Sequence, residues 1–223
     1  MQIALQTVAL PSGTPDTLEV FILDIKEEAH RLPQALAILN KDEQDRHNWY
    51  NHPTSARRFA LTRAALRQRL AERTGGEATA LRFEYGPHGK PALRASQLRF
   101  NVAHSGQYAL IAISTTHDVG IDIERHASTA PLDTLSSSIF SDEERAWCAG
   151  DSARFYALWC GKEAMIKADG TGFSVANGMP VAMLRDDGSY ISPRPGLQAW
   201  SLAMPPGYAA ALALLADEPS SHA

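Results

Sequence analysis

Two short blocks in the second half of the sequence carry most of its chemistry. Val119-Gly120-Ile121-Asp122-Ile123-Glu124 alternates apolar residues with glycine and carboxylates, the period of a strand, so Asp122 and Glu124 share one face. Gly120 lies on that face too and leaves room for a ligand to approach the backbone. The second block, Trp159-Cys160-Gly161-Lys162-Glu163-Ala164-Met165-Ile166-Lys167, reads as a helix with Glu163 and Lys167 four residues apart on one face. Bringing Glu163 beside Asp122 and Glu124 would gather three negative charges that need a cation. All-oxygen ligation suits Mg²⁺, or Mn²⁺. Mg²⁺ held by few carboxylates keeps positions for substrate phosphates, and Lys162 and Lys167 would meet those phosphates. Each feature also has a plain alternative. A D-x-E strand can be the solvated face of a sheet edge, and a Glu-Lys pair four residues apart can be a surface ion pair.

Together the blocks resemble the signature of the phosphopantetheinyl transferase superfamily, a G-I-D-x-E strand followed by W-x-x-K-E-x-x-x-K on a helix. Three further segments resemble that family in the same order. They are Arg58-Phe59-Ala60-Leu61, Tyr85-Gly86-Pro87-His88-Gly89-Lys90-Pro91, and Phe100-Asn101-Val102-Ala103-His104-Ser105. The resemblance implies transfer of 4'-phosphopantetheine from coenzyme A to a serine of an apo acyl or peptidyl carrier protein, releasing adenosine 3',5'-bisphosphate. It implies Mg²⁺ on Asp122, Glu124 and Glu163, with Glu163 and Lys167 catalytic. It implies coenzyme A contacts from Arg58, Lys90, Pro91, His104, Lys162 and Lys167. Two positions depart from the pattern. Ala103 stands where a hydroxyl residue is common, which would remove a phosphate hydrogen bond. Asp42 and Asp45 occur where basic residues often hold the 3'-phosphate, leaving Arg46 as the substitute. Two other readings are a non-catalytic module that binds coenzyme A or carrier protein, and a metal-dependent phosphodiester hydrolase. The first would lose the carboxylate-lysine set, which this sequence keeps.

The 223 residues suit one large domain or two small ones, and 44% hydrophobic residues is ordinary for a globular chain. A net charge of −4 argues against a nucleic-acid partner, which usually meets a basic surplus. No apolar run is long enough for a membrane span. The longest, Tyr208 to Ala216, follows Pro-Pro-Gly and reads as a terminal strand. Met1 to Leu10 lacks the features of a secretion signal, and two cysteines make no disulfide framework, so the expected compartment is the cytoplasm.

The elements that must position the chemistry repeat. Leu98 to Ala109 lies over Gln198 to Ala209 without a gap, matching Phe100 with Trp200 and Tyr108 with Tyr208. Each reads as strand, turn, strand. Arg58-Phe59 leads one helix and Arg154-Phe155 another, while Val20 to Asp24 stands where Val119 to Ile123 stands in the second copy. The predicted fold is α+β: two similar halves related by pseudo-two-fold symmetry, each a small antiparallel sheet packed with helices. The halves are residues 1–117, with the nucleotide contacts, and 118–223, with the metal and catalytic residues. The arrangement resembles the monomeric, surfactin-synthetase-activating type of the family.

Helix signals place Thr54 or Ser55 at the start of a helix ending before Gly75-Gly76. They place a capping box at Ser141 to Glu144, and Asp151 or Ser152 at the start of the Glu163 helix. Residues 126–138 read as a surface connection, and Pro219 onward as a frayed tail. The segment Phe140 to Cys148, with Ile139 and Trp147, is a candidate apolar rim for docking a carrier. Carriers of this family are typically acidic, so docking on this net-negative chain needs a local patch.

Overall fold

A computed structural model of the chain describes residues 2–127, 132–170, 182–192 and 194–216. The first half contains β1 (Gln6–Thr7), β2 (Leu18–Asp24), a 3-10 turn (Glu27–Arg31), α1 (Leu32–Ile38), α2 (Lys41–Trp49), α3 (Pro53–Thr74), β3 (Phe83–Tyr85), β4 (Pro91–Leu93), β5 (Arg99–Ser105) and β6 (Tyr108–Ser114). The second contains β7 (His117–Arg125), α4 (Leu132–Ile139), α5 (Asp142–Cys148), α6 (Ser152–Asp169), β8 (Leu197–Ser201) and β9 (Tyr208–Ala216). The Pro219 tail lies outside the described residues.

Both halves build the same sheet. The first runs β1-β2-β6-β5 and the second β7-β9-β8, all antiparallel. In each, a hairpin's second strand, β6 or β9, sits between its first strand and an earlier strand of the half, β2 or β7. Period-two alternation sorts the side chains into layers. Phe21, Leu23, Ile111 and Ile113 turn outward against Leu61, Ala64 and Leu66 of α3. Ala211 and Ala213 turn outward against Leu158, Ala164 and Ala168 of α6. The inward faces meet each other, with Val20, Leu110 and Ala112 against Val119, Ile121, Ile123, Leu212 and Leu214. Helices, sheet, sheet, helices is the resulting order, and a shared apolar cluster joins the halves.

The repeat goes deeper than the hairpins. Asn40 and Ser141 are N-caps of α2 and α5, and each forms a reciprocal capping box with a glutamate, Glu43 or Glu144. Each glutamate is buried and paired with a cation on the long helix of its own half. Arg67 Nε meets Glu43 at 2.8 Å, and Lys162 Nζ meets Glu144 at 2.8 Å. Arg67 and Lys162 each lie eight residues before the left-handed glycine that caps their helix, Gly75 and Gly170. Tyr108 and Tyr208 stack edge-on with centroids 4.9 Å apart, near the pseudo-two-fold axis.

Some sequence expectations shift. The gapless overlay slips by one residue: Asn101 pairs with Ala112, but its counterpart Ser201 pairs with Ala211 rather than Leu212. The second turn, through Pro205-Pro206-Gly207, is longer than the two-residue Gly106-Gln107 turn and absorbs the difference. Aligned on their capping glycines, the Arg58 and Arg154 pairs also fall one residue out of step. α3 begins earlier than Thr54, because Pro53 takes the first helical position and His52 is the N-cap. The 126–138 connection contains helix α4. Phe140 is only 4% exposed and Cys148 5%, and Ile139 and Trp147 pack on the same cluster, so the supposed rim belongs to the core of the second half. Among the described residues no helix is long and apolar enough to cross a membrane.

Candidate active site

The site lies where β5, β7 and α6 meet. Asp151 caps α6 by accepting from the Ala153 and Arg154 amides. The helix then crosses β7 over Gly120, where an added Cβ would collide with the Ala164 carbonyl and the Ala168 amide. Gly120 therefore admits the helix backbone and not, as its place on the strand suggested, a ligand. This close approach sets Lys167 onto the strand. Its Nζ donates to Asp122 Oδ1 at 2.6 Å and to the Ile121 carbonyl at 3.4 Å. Asp122 is buried, and its Oδ2 has no hydrogen-bond partner among the described residues. Glu124 Oε2 accepts from Ser105 Oγ at 2.7 Å.

Asp122, Glu124 and Glu163 act on one another electrostatically. Burial pushes the Glu124 carboxyl above the usual carboxylate range, and Asp122 and Glu163 push it further. Burial raises Glu163 as well; Lys167 opposes the rise and Asp122 adds to it. The three carboxylates do not form a ready cage. Among the described residues no three His, Cys, Asp or Glu side chains converge closely enough to hold a metal ion. Lys167 supplies the positive charge at Asp122 instead.

Two cavities open on either side of this cluster. One, of about 270 Å³, is lined by Lys90, Pro91, Asn101, Glu163 and Lys167. The other, of about 650 Å³, is lined by Arg57, Arg58, Glu124, Arg125 and Tyr156. Lys90 reaches across from the β3–β4 hairpin to the second half, donating to the Ala168 carbonyl at 2.9 Å beside Asp118. Its burial lowers its pKa, while Asp118 works against the drop. His104 lies on β5. Burial lowers its pKa, and Arg58, Lys167 and Arg46 lower it further by repulsion. A third, small cavity of about 100 Å³ lies beside it, lined by Arg46, Tyr50, Phe59, Thr62, Arg63 and His104. Thr62 Oγ1 and Arg63 Nη1 are buried there with no hydrogen-bond partner among the described residues.

The structure thus places Asp122, Glu124, Glu163, Lys167, Lys90, Pro91, His104 and Arg58 around one cluster. Lys162 is the exception. It is 1% exposed, locked onto Glu144 and lying over the Phe140 ring, so it cannot meet a phosphate in the cleft. One helical residue is a turn of about 100°, and it puts Lys162 against α5 while Glu163 looks into the cleft. Ala103 is also reassigned. It faces the cluster between the sheets, on the opposite side of β5 from His104, so a hydroxyl at that position would not reach the cleft.

Two residues of the Phe100 to Ser105 segment, given no role by the motif reading, position the site. Asn101 Oδ1 accepts the Ile121 amide at 3.0 Å, and Ser105 Oγ accepts the Arg125 amide at 3.0 Å. They bolt the edge of one half to the strand that carries Asp122 and Glu124. A signal existed: asparagine is depleted in strand interiors, so Asn101 in a buried strand needs a specific partner. Arg63 and Thr62 carried no such signal, since a helix surface accommodates both.

Known proteins match the chain over both halves. A family model described as the 4'-phosphopantetheinyl transferase superfamily matches residues 118–212, and one described as 4'-phosphopantetheinyl transferase, N-terminal, matches residues 26–116. The 4'-phosphopantetheinyl transferase HetI of Nostoc is 30% identical over 196 residues, 84% of this chain and 81% of its own length. A Synechocystis protein bearing the same family name is 36% identical over 151 residues, 64% of this chain and 61% of its own. The transferase Sfp of Bacillus subtilis is 26% identical over 160 residues, 69% of this chain and 70% of its own. The chain belongs to the 4'-phosphopantetheinyl transferase superfamily.

Proposed function

We propose that this chain transfers 4'-phosphopantetheine from coenzyme A to a serine of an apo carrier protein, with Mg²⁺, releasing adenosine 3',5'-bisphosphate. The observation that carries the reading is the Asp122–Lys167 pair set between two cavities, with Glu124 on the wall of one and Glu163 on the wall of the other. Although no three side chains among the described residues converge closely enough to cage an ion as they stand, the cluster has the donor chemistry for a divalent cation. Asp122 Oδ2 is buried and unpartnered, and the neighbouring carboxylates repel each other. Asp122, Glu124 and Glu163 would hold Mg²⁺, which when bound offsets charge on the pyrophosphate oxygens.

The chain's own groups do the rest. The serine oxygen bonds to the pantetheine-bearing phosphorus, and the bond from that phosphorus to the bridging oxygen breaks. Glu163, half-buried with a raised pKa, takes the serine proton. Lys167 stabilises the charge that builds on the leaving bisphosphate. Lys90 and Pro91 border the nucleotide. The small cavity at Arg46, Thr62, Arg63 and His104 seats the 3'-phosphate, with the Thr62 hydroxyl and Arg63 Nη1 as donors. Asp42 and Asp45 do not oppose this: both are exposed and Asp45 is paired with Lys41, whereas Arg46, also exposed, lays its guanidinium over the Phe59 ring on the wall of that cavity.

The division falls near His117-Asp118, with nucleotide contacts before it and the carboxylates after it. One chain brings both walls of the cleft together, so it works as a monomer. Cys148 and Cys160 are unpaired and buried, in keeping with the cytoplasm. The test is mass spectrometry of candidate apo carriers after incubation with coenzyme A and Mg²⁺. A gain of one phosphopantetheinyl group on the carrier serine is expected. Coenzyme A cleaved at the same rate without any carrier would identify a hydrolase instead.

A further inference from the structure

The larger cavity holds more positive charge than the proposed chemistry uses. Lys26, Arg57, Arg58 and Arg125 all line it, drawn from both halves of the molecule. Among the described residues none of the four makes an ion pair, although most other basic side chains do. Arg58 Nε is buried with no hydrogen-bond partner among the described residues. The one carboxylate on the wall, Glu124, belongs to the catalytic cluster and is already bonded to Ser105. Asp24, beside Lys26 in sequence, is occupied by the Gln107 side chain and by two backbone amides. In a chain of net charge −4, an uncompensated group of cations around one opening marks a surface that awaits negative charge.

The position of this opening narrows the partner. The transfer joins two substrates at one cluster. Lys90, Pro91, Glu163 and Lys167 line the smaller cavity, so the nucleotide end of coenzyme A has its walls there. The larger cavity reaches the same cluster from the Glu124 side and leaves a path for the acceptor. We propose that Lys26, Arg57 and Arg125 form the docking rim for the acceptor carrier, gripping acidic side chains that flank its serine, while Arg58 serves the phosphates behind them. This rests on the transferase reading and deepens it. It also replaces the apolar rim at Phe140 to Cys148, whose side chains are spent on the core. Docking is therefore charge-driven and salt-sensitive.

The test measures binding of an acidic apo carrier by titration calorimetry, and KM for carrier and for coenzyme A, at about 50 and about 300 mM salt. Wild-type carrier affinity is expected to fall about tenfold across that range. The double variant Lys26→Glu/Arg57→Glu alters two side chains with no ion-pair partner, so the fold has little to lose. It should weaken carrier binding about tenfold or more and flatten the salt response, with the KM for coenzyme A within about twofold of wild type. The charge-conserving Lys26→Arg/Arg57→Lys should bind carrier normally. Unchanged carrier affinity in the charge-reversed variant, or a loss confined to coenzyme A, overturns the proposal. Because binding is read directly, the outcomes separate. Charge-dependent carrier binding without transfer would defeat the transferase reading alone. Transfer with salt-independent binding would defeat only the docking rim.

Discussion

At the level of single residues, Lys167 occupies Asp122, and the proposed cation would have to share it. The lysine holds Oδ1, while Oδ2 is buried and idle. Asp122→Asn keeps the shape and removes a charged, hard oxygen ligand. It should raise the Mg²⁺ concentration for half-maximal transfer by about tenfold or more, read from a metal titration of initial rates. Normal activity at low Mg²⁺ would show that Asp122 does not ligate the metal. Thr62 gives a sharper probe of substrate recognition. Its hydroxyl is buried with no partner among the described residues, so Thr62→Val removes a desolvated polar group without changing volume. Stability should hold or rise slightly. The preference for coenzyme A over its 3'-dephospho analogue should drop about tenfold, the equivalent of one charge-assisted hydrogen bond of roughly 1.5 kcal/mol. A preference equal to wild type would remove Thr62 from the 3'-phosphate seat.

At the level of elements, α6 does two jobs on two faces. Its cleft face presents Glu163 and Lys167, and its hidden face ties it to α5 through Lys162 and Glu144. Burial lowers the Lys162 pKa, with Glu144 holding against the drop. Lys162→Ala would leave Glu144 buried and short of a charge partner, costing about 3–5 kcal/mol of stability. Denaturant unfolding should record that loss, while KM for coenzyme A stays unchanged in whatever fraction remains folded. A rise in KM with stability intact would return Lys162 to the phosphate role that its motif position implied. The same logic explains the mirror pair Arg67–Glu43, which ties α3 to α2. A motif lysine next to a cleft glutamate can be structural because both halves carry the same buried ion pair.

At the level of the whole molecule, the halves are not independent. Their inward sheet faces share one apolar cluster, and Asn101, Ser105 and Tyr208 add hydrogen bonds across the joint, the last accepting the Gln107 amide at 3.0 Å. Separating them would expose Val20, Ile121 and Leu212 together. At about 25 cal/mol per Å² of apolar surface, opening that cluster is prohibitive for a small domain. Calorimetry should therefore give one cooperative transition whose van't Hoff and calorimetric enthalpies agree. Two resolved transitions would mean that each half is stable alone.

The sequence by itself determined the period of β7, the caps of α5 and α6 and the duplicated hairpins, because these depend on neighbours a few residues apart. Asp122 and Glu124 share a face whatever surrounds them, and Glu163 and Lys167 share one too. Tertiary structure alone decided what those faces meet. Gly120 reads as space for a ligand until α6 is laid across it, and Lys162 reads as a phosphate contact until α5 covers it. Phe140 reads as a rim until Phe155 packs against it. Asn101 and Ser105 act through a strand of the other half, and the rim of Lys26, Arg57 and Arg125 draws on three separate stretches of chain. Local periodicity fixes which way a side chain points; only packing between distant segments fixes whether it finds a partner, a core or an open cavity.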